Sequence, residues 1–181
     1  SDLFWATAGG MGLTGLILDA TIELHRIETA YLAVDTDRTA DLDATLDLME
    51  SGDDAYDYSV AWIDIMARGS AMGRSILTRG GFAARSQLDG RRGRDPLRFT
   101  SGTVATWPAR PAIRLVNPAT IRSFNEAWYR KAPKRQRDHI QTISQFFHPL
   151  DMVHHWNRVY GRSGFLQWQC AVPLDATDDL R

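Results

Sequence analysis

The sequence predicts an α+β fold, an antiparallel sheet with flanking helices packed on one face. Three observations carry this expectation. Residues 56–66 alternate with the two-residue period of a half-buried strand, and residues 73–80 follow as an antiparallel partner. Residues 29–35, Thr-Ala-Tyr-Leu-Ala-Val-Asp, read as a further strand. Between these strands, Leu42, Leu46 and Met49 recur at helical spacing.

Composition places the chain among globular, water-compatible proteins. It has 181 residues, 44% hydrophobic and 24% charged, enough for one domain with a sizeable core. The formal net charge of -1 gives no global reason to expect nucleic acid as a partner. The single cysteine, Cys170, excludes an internal disulfide framework and a multi-cysteine zinc site. No apolar run approaches the length that spans a bilayer. Six tryptophans, five tyrosines and seven phenylalanines are a generous aromatic supply, able to line a cleft as well as fill a core.

In chain order, Ser1-Asp2-Leu3-Phe4-Trp5-Ala6 reads as a helix with Asp2 near its start. A beginning inside a helix, and Asp178 and Asp179 placed as in a first helical turn, lead us to expect a chain that continues beyond both ends. Residues 7–15 contain Gly10-x-Gly12-x-x-Gly15, a formal match to the dinucleotide fingerprint. That fingerprint follows a strand and opens a helix. Here a helix precedes the glycines and residues 15–24 follow as a strand candidate, so the Rossmann reading fails. Two readings stay open for the turn: a backbone able to approach a flat or anionic ligand, or a tight helix-to-strand turn with no ligand.

Asp37-Arg38-Thr39 opens a helix that runs through Glu50, whose acidic face (Asp41, Asp43, Asp47, Glu50) reads as solvated surface rather than a metal site. In the strand at 56–66, Tyr56, Tyr58, Val60 and Trp62 share one face and Ser59, Ala61, Ile63 and Ile65 the other. From residue 83 to about 118 the pattern dissolves into charged and proline-bearing loops, a length that is usually functional or disordered. Asn117 or Thr120 starts a helix through Tyr129. The basic run at 130–137 reads as a solvated loop, with contact to a phosphate or an anionic membrane surface as the alternative.

His148, Asp151, His154 and His155 have ligand chemistry, but Pro149 breaks any helix that would align them, and no zinc or iron motif supports a metal. No nucleophile elbow, P-loop or paired-cysteine motif occurs. Residues 165–172 alternate as a strand, with Leu166, Trp168, Cys170 and Val172 on an apolar face. Gln167 and Gln169 lie opposite, roughly 6.5–7 Å apart, two strand rises. Paired amides can hold a hydroxyl-rich ligand, though the pattern alone favours a solvent-facing surface.

These motifs together carry a resemblance. Residues 2–15 resemble the end of the flavin-binding domain in FAD-linked oxidases of the vanillyl-alcohol-oxidase type. More narrowly, Tyr58-Ser59-Val60-Ala61-Trp62, Trp128-Tyr129-Arg130-Lys131, Gln145-Phe146-Phe147-His148-Pro149-Leu150-Asp151-Met152, Trp156-Asn157-Arg158-Val159-Tyr160-Gly161 and Gly164-Phe165-Leu166-Gln167-Trp168-Gln169 resemble the flavoprotein oxidase subunits of decaprenylphosphoryl-β-D-ribose 2′-epimerase. The blocks occur in the family's order.

The resemblance implies that FAD takes a hydride from ribose C2 of a lipid-linked sugar phosphate, leaving a 2-keto sugar. An NADH-dependent short-chain reductase partner then reduces the ketone with inversion, supplying the arabinose donor for cell-wall arabinan. It also implies a place in the cytoplasm or cell envelope, peripheral to the membrane.

By the same resemblance, residues 1–28 end a FAD-binding domain and residues 29–181 form a substrate-binding domain, incomplete at its C-terminus. Ile17 corresponds to a residue whose backbone meets FAD, with Gly12 and Gly15 allowing the approach. Trp62 corresponds to an aromatic beside the substrate pocket, and Phe147 stands where the family usually has tyrosine. Gln167 and Gln169 correspond to pocket glutamines, which turns their reading away from plain surface. Leu150 and Arg158 fall in a loop that covers the pocket, and residues 83–118 suit a second cover. The family's catalytic lysine would follow Arg181, so no catalytic residue is expected within the chain, and this chain alone is expected to be inactive. Two further readings stay open: an oxidase of a free sugar, alditol or aldonolactone, and a non-catalytic binding or partner-docking module.

Overall fold

The computed structural model describes residues 1–107 and 116–167, with the backbone alone for Arg162 and Ser163. Helix α1 (Asp2–Thr7) opens the chain. Tight turns follow: the Gly10 N–H donates to the Thr7 carbonyl (3.0 Å), Leu13 to Gly10 (3.0 Å) and Gly15 to Gly12 (3.3 Å). Gly12 sits at φ 79°, a conformation glycine adopts without Cβ strain. Residues 16–27 then run without regular structure. The strand expected at 15–24 does not form, because no described strand pairs with it and an unpaired strand is not stable on its own.

The sheet begins where this segment ends. Strand β1 (Tyr31–Thr39) leads to helix α2 (Leu42–Glu50), then to strands β2 (Tyr58–Ile63) and β3 (Ser75–Phe82). A short helix α3 (Gly90–Arg94) and strand β4 (Ala105–Thr106) precede helix α4 (Pro118–Lys131). Strand β5 (Arg135–Thr142), helix α5 (Ile143–Phe147) and strand β6 (Val153–His154) follow. The four long strands lie in the order β2-β3-β1-β5, every neighbour antiparallel. The predicted α+β class is borne out.

Local chemistry sets the helix starts. Asn117 caps α4 by accepting from the N–H groups of Ala119 (3.0 Å) and Thr120 (3.1 Å), with Pro118 at the first position and Pro133 just past the end. Thr142 and Gln145 cap α5 reciprocally: Thr142 Oγ1 accepts from the Gln145 N–H (3.2 Å), and Gln145 Oε1 accepts from the Thr142 N–H (2.9 Å). The helix expected to open at Asp37 opens instead at Leu42, capped by Asp41, whose Oδ1 accepts from Ala44 (2.8 Å). Asp37 remains in β1 because its carboxylate is bonded by Arg79 (3.3 Å) and Arg137 (2.8 Å) from neighbouring strands. The solvated loop expected at 130–137 is instead the last turn of α4 and the start of β5.

Helices lie on both faces of the sheet, not on one. Along one face run Asp35, Asp37 and Thr39 with their neighbours Arg79, Leu77 and Ser75. Helix α2 covers it, joined by Thr39 to Thr45 (2.7 Å) and by Arg79 to the Leu48 carbonyl (3.0 Å). The other face carries Leu32 and Val34, both fully buried against Phe146 of α5, with Tyr58 and Ile143 around them. Gly80 lies where β1 and β3 approach so closely that a Cβ would strike the Ala33 carbonyl.

Candidate substrate-binding face

The sheet face shared with α5 is the one that gathers chemistry. Antiparallel pairing puts directly opposed residues on the same side. Tyr58, Val60 and Trp62 therefore stand beside Gly80, Thr78 and Ile76, and Leu32, Val34 and Thr36 beside Gln141, His139 and Gln136. The alternation expected for Tyr58, Val60 and Trp62 forms, but Tyr56, expected on the same face, precedes β2 and turns its ring and hydroxyl to Arg79 and Asp35 on the other face. Helix α5 closes one end of this face, and the C-terminal turn of α4 overhangs the other. Between them lies a groove of about 260 Å³ walled by Thr36, Gln136, His139, Gln141, Trp128 and Lys131. Trp128 stacks on Phe124 (6.0 Å between rings) and Lys131 lies 5.8 Å over the Trp128 ring. Amides, a hydroxyl, an imidazole, an ammonium and aromatic rings make a surface suited to a hydroxyl-bearing ligand.

The overhang is held firmly. Tyr129 donates its hydroxyl to the Thr39 carbonyl (2.9 Å), and Arg38 donates to the Tyr129 carbonyl (3.0 Å) at the helix C-terminus. The Tyr129 ring lies between two guanidiniums, Arg38 at 4.9 Å and Arg74 at 4.5 Å. Asp64, 2% exposed, accepts from Arg74 (2.8 and 3.0 Å), Asn125 (2.7 Å) and the Met66 N–H (3.1 Å). Arg74 also pairs with Glu126 of α4 (2.6 Å). Burial pushes the Asp64 carboxyl up, and the bonds from Arg74, Asn125 and Met66 outweigh that and hold it below the usual carboxylate range.

On the opposite face, the charges satisfy one another. Asp35 accepts from the Tyr56 hydroxyl (2.7 Å) and the Asp138 N–H (2.9 Å), and Arg137 bridges it (3.5 Å) to Asp37 (2.8 Å). Burial raises the Asp35 carboxyl, while the Asp138, Tyr56 and arginine interactions carry it below its ordinary value. Asp138 adopts φ 53° at the point where the β1–β5 register shifts, which turns Arg137 toward this network. The charge network ties three strands together, and no aspartate or glutamate lines the groove.

The expected site residues fall in different places. Trp62 stands directly across from Ile76, which lines the groove. Phe147 is on the same face, edge-on to Tyr58 at 5.0 Å. Leu150 is exposed in the turn after α5. Arg158 donates to the Trp107 carbonyl (3.3 Å). Gln167 is exposed and outside regular structure, so the strand expected at 165–172 does not begin within the described residues. Gln169 and Cys170 lie outside the described residues. Gly12, Gly15 and Ile17 are exposed in the N-terminal segment, whose first hydrogen bond to the rest of the chain is Glu28 accepting from the Arg85 N–H (3.0 Å).

The two segments expected to cover the pocket are joined. β4 pairs with β6 in parallel, Ala105 beside Val153 and Thr106 beside His154. The Val104 N–H donates to the Met152 carbonyl (2.8 Å) and the Trp107 N–H to the His154 carbonyl (2.8 Å). His154 and His155 stack loosely at 5.2 Å, and no group of three potential metal ligands assembles among the described residues. Gln136, His139 and Gln141 went unseen in the sequence reading. Their signal was their two- and three-residue spacing across a bulge, which a regular alternation does not match.

Comparison with known proteins follows this geometry. No family model matches the chain. A decaprenylphosphoryl-beta-D-ribose oxidase of Mycolicibacterium smegmatis is 44% identical across the whole chain, which covers 39% of that oxidase. The chain is related to that oxidase from end to end. The resemblance read from the sequence motifs is thereby borne out. A Streptomyces coelicolor protein, described as an uncharacterized protein in the mprA 5′ region, is 29% identical over the whole chain, which covers 50% of it. The chain thus spans half or less of the length of these relatives. No helix among the described residues is long and apolar enough to cross a membrane.

Proposed function

We propose that the protein carrying this chain is a FAD-dependent oxidoreductase that oxidises the ribose C2 hydroxyl of a polyprenyl-phosphate sugar to a ketone. The observation that supports it is the 44% identity over the whole chain to an oxidase named for decaprenylphosphoryl-ribose. On this reading the groove face positions the sugar: Trp62 and Trp128 offer ring faces, and Gln136, Gln141 and Thr36 offer donors and acceptors to its hydroxyls. Gln167 and Gln169, pocket glutamines by the resemblance, would join them. The joined β4 and β6 segments, covers of the pocket by the resemblance, would exclude water from the reacting carbon.

The N-terminal turn suits one edge of a flavin. Gly12 and Gly15 leave open space where a Cβ would stand, and the Ile17 backbone makes no hydrogen bond among the described residues. These groups would meet the cofactor without enclosing it. When bound, the flavin supplies the hydride-accepting chemistry. An NADH-dependent short-chain reductase would complete the epimerisation for arabinan synthesis, working at the cell envelope where the lipid-linked sugar resides.

Absorbance tests this function directly. The full-length protein is expected to purify with a bound-flavin spectrum, and polyprenyl-phosphate ribose to bleach it where ribose, alditols and aldonolactones do not. A protein that stays colourless with added FAD would refute the reading.

A further inference from the structure

We infer that the groove beneath the last turn of α4 is the subsite for the phosphate of a phosphorylated sugar, with Lys131 as its cation. This rests on the proposed function, since it names what the same face reads in the substrate. The basic run at 130–137 does not act as a single patch. Arg130 is paired with Glu126 (2.5 Å), and Arg137 is turned to Asp35 and Asp37 on the far side of the sheet. Lys131 has no carboxylate within ion-pair distance among the described residues and faces the groove instead, over Trp128.

The lining contains no aspartate or glutamate. The same lining carries Gln136, His139, Gln141 and Thr36, groups that donate to phosphate and sugar oxygens. A lysine there supplies a point charge, and charge-assisted bonds to phosphate are stronger than neutral ones. The position is fixed before any ligand arrives, because Tyr129 and Arg38 lock the same helical turn onto β1. At about 260 Å³ the groove is smaller than the roughly 300–1,000 Å³ typical of drug-sized ligand sites, so it suits a sugar phosphate and not a long isoprenoid chain.

Calorimetric titration of the full-length protein with ribose 1-phosphate, ribose and inorganic phosphate tests the subsite. Wild type is expected to bind ribose 1-phosphate about tenfold tighter than ribose. Lys131→Glu and Lys131→Gln, checked for folding by circular dichroism, are expected to abolish that preference, and Lys134→Ala to keep it. An unchanged preference in both Lys131 variants overturns the inference. So does inorganic phosphate binding as tightly as ribose 1-phosphate, which would mark an isolated anion site. A colourless protein that keeps the Lys131-dependent preference would sink the proposed reaction and leave the subsite standing. A turning-over flavoprotein indifferent to Lys131 would do the reverse.

Discussion

A buried carboxylate that collects four hydrogen bonds holds α4 against the sheet. Asp64 sits almost out of solvent contact, and Arg74, Asn125 and Met66 compensate its charge. Removing the charge while leaving Arg74 in place is costly: Asp64→Asn is expected to lose on the order of 3 kcal/mol at neutral pH, read from urea unfolding. Its pH dependence has a definite sign. A carboxyl held below its unfolded value, about 3.9, contributes stability that is complete above that pH and fades as pH falls through the folded value. The gap between wild type and Asp64→Asn should therefore be wide from pH 5 to 7 and narrow below about pH 4. A constant gap across that range would show that the charge is not what Asp64 contributes.

Helix α4 presents Trp128 and Lys131 to the groove, and its two ends are fixed by different means. The N-terminus depends on the Asn117 cap, the C-terminus on Tyr129 and Arg38. Asn117→Ala should cost about 1 kcal/mol in unfolding experiments. Sugar affinity should stay the same, since the fraying turn is the one far from the groove. A matching loss of affinity would mean that the helix acts as one rigid lever. This helix was legible in the sequence because Asn117-Pro118 is a start signal that depends only on neighbours. Strand β5 was not. Its eight residues include a single aliphatic, Ile140, and the bulge at Arg137 and Asp138 destroys the alternation that would have exposed it. With the strand hidden, the polar wall of the groove was hidden too. The start of α2 misled for a related reason: Asp37 resembles a cap locally, but its partners stand 42 and 100 residues away.

At the scale of the molecule, the chain divides at Glu28 and Thr29 into a segment that exposes its side chains and a sheet that buries them. Leu13, Leu16 and Leu18 are each more than nine-tenths exposed, whereas Leu32, Val34 and Leu77 are fully buried. On the proposed reading the turn at 10–17 would offer a flavin one edge and no pocket. This chain expressed by itself is therefore expected to elute from gel filtration without flavin after incubation with FAD. A stoichiometric yellow chain would show that the turn and the sheet suffice. The whole-chain likeness to an oxidase was readable from short motif blocks, because such blocks survive as residue patterns. Which sheet face those blocks share was not, since it depends on register between strands far apart in the chain.

The small parallel ladder between β4 and β6 has a kinetic meaning. Its Val104 and Trp107 amides reach across about fifty residues of chain to the carbonyls of Met152 and His154, and Arg158 returns a bond to Trp107. Amide protons bound in this way become accessible to solvent deuterium only when both strands part. The two segments should therefore exchange with one shared rate, and their parting is a single event with a single free energy.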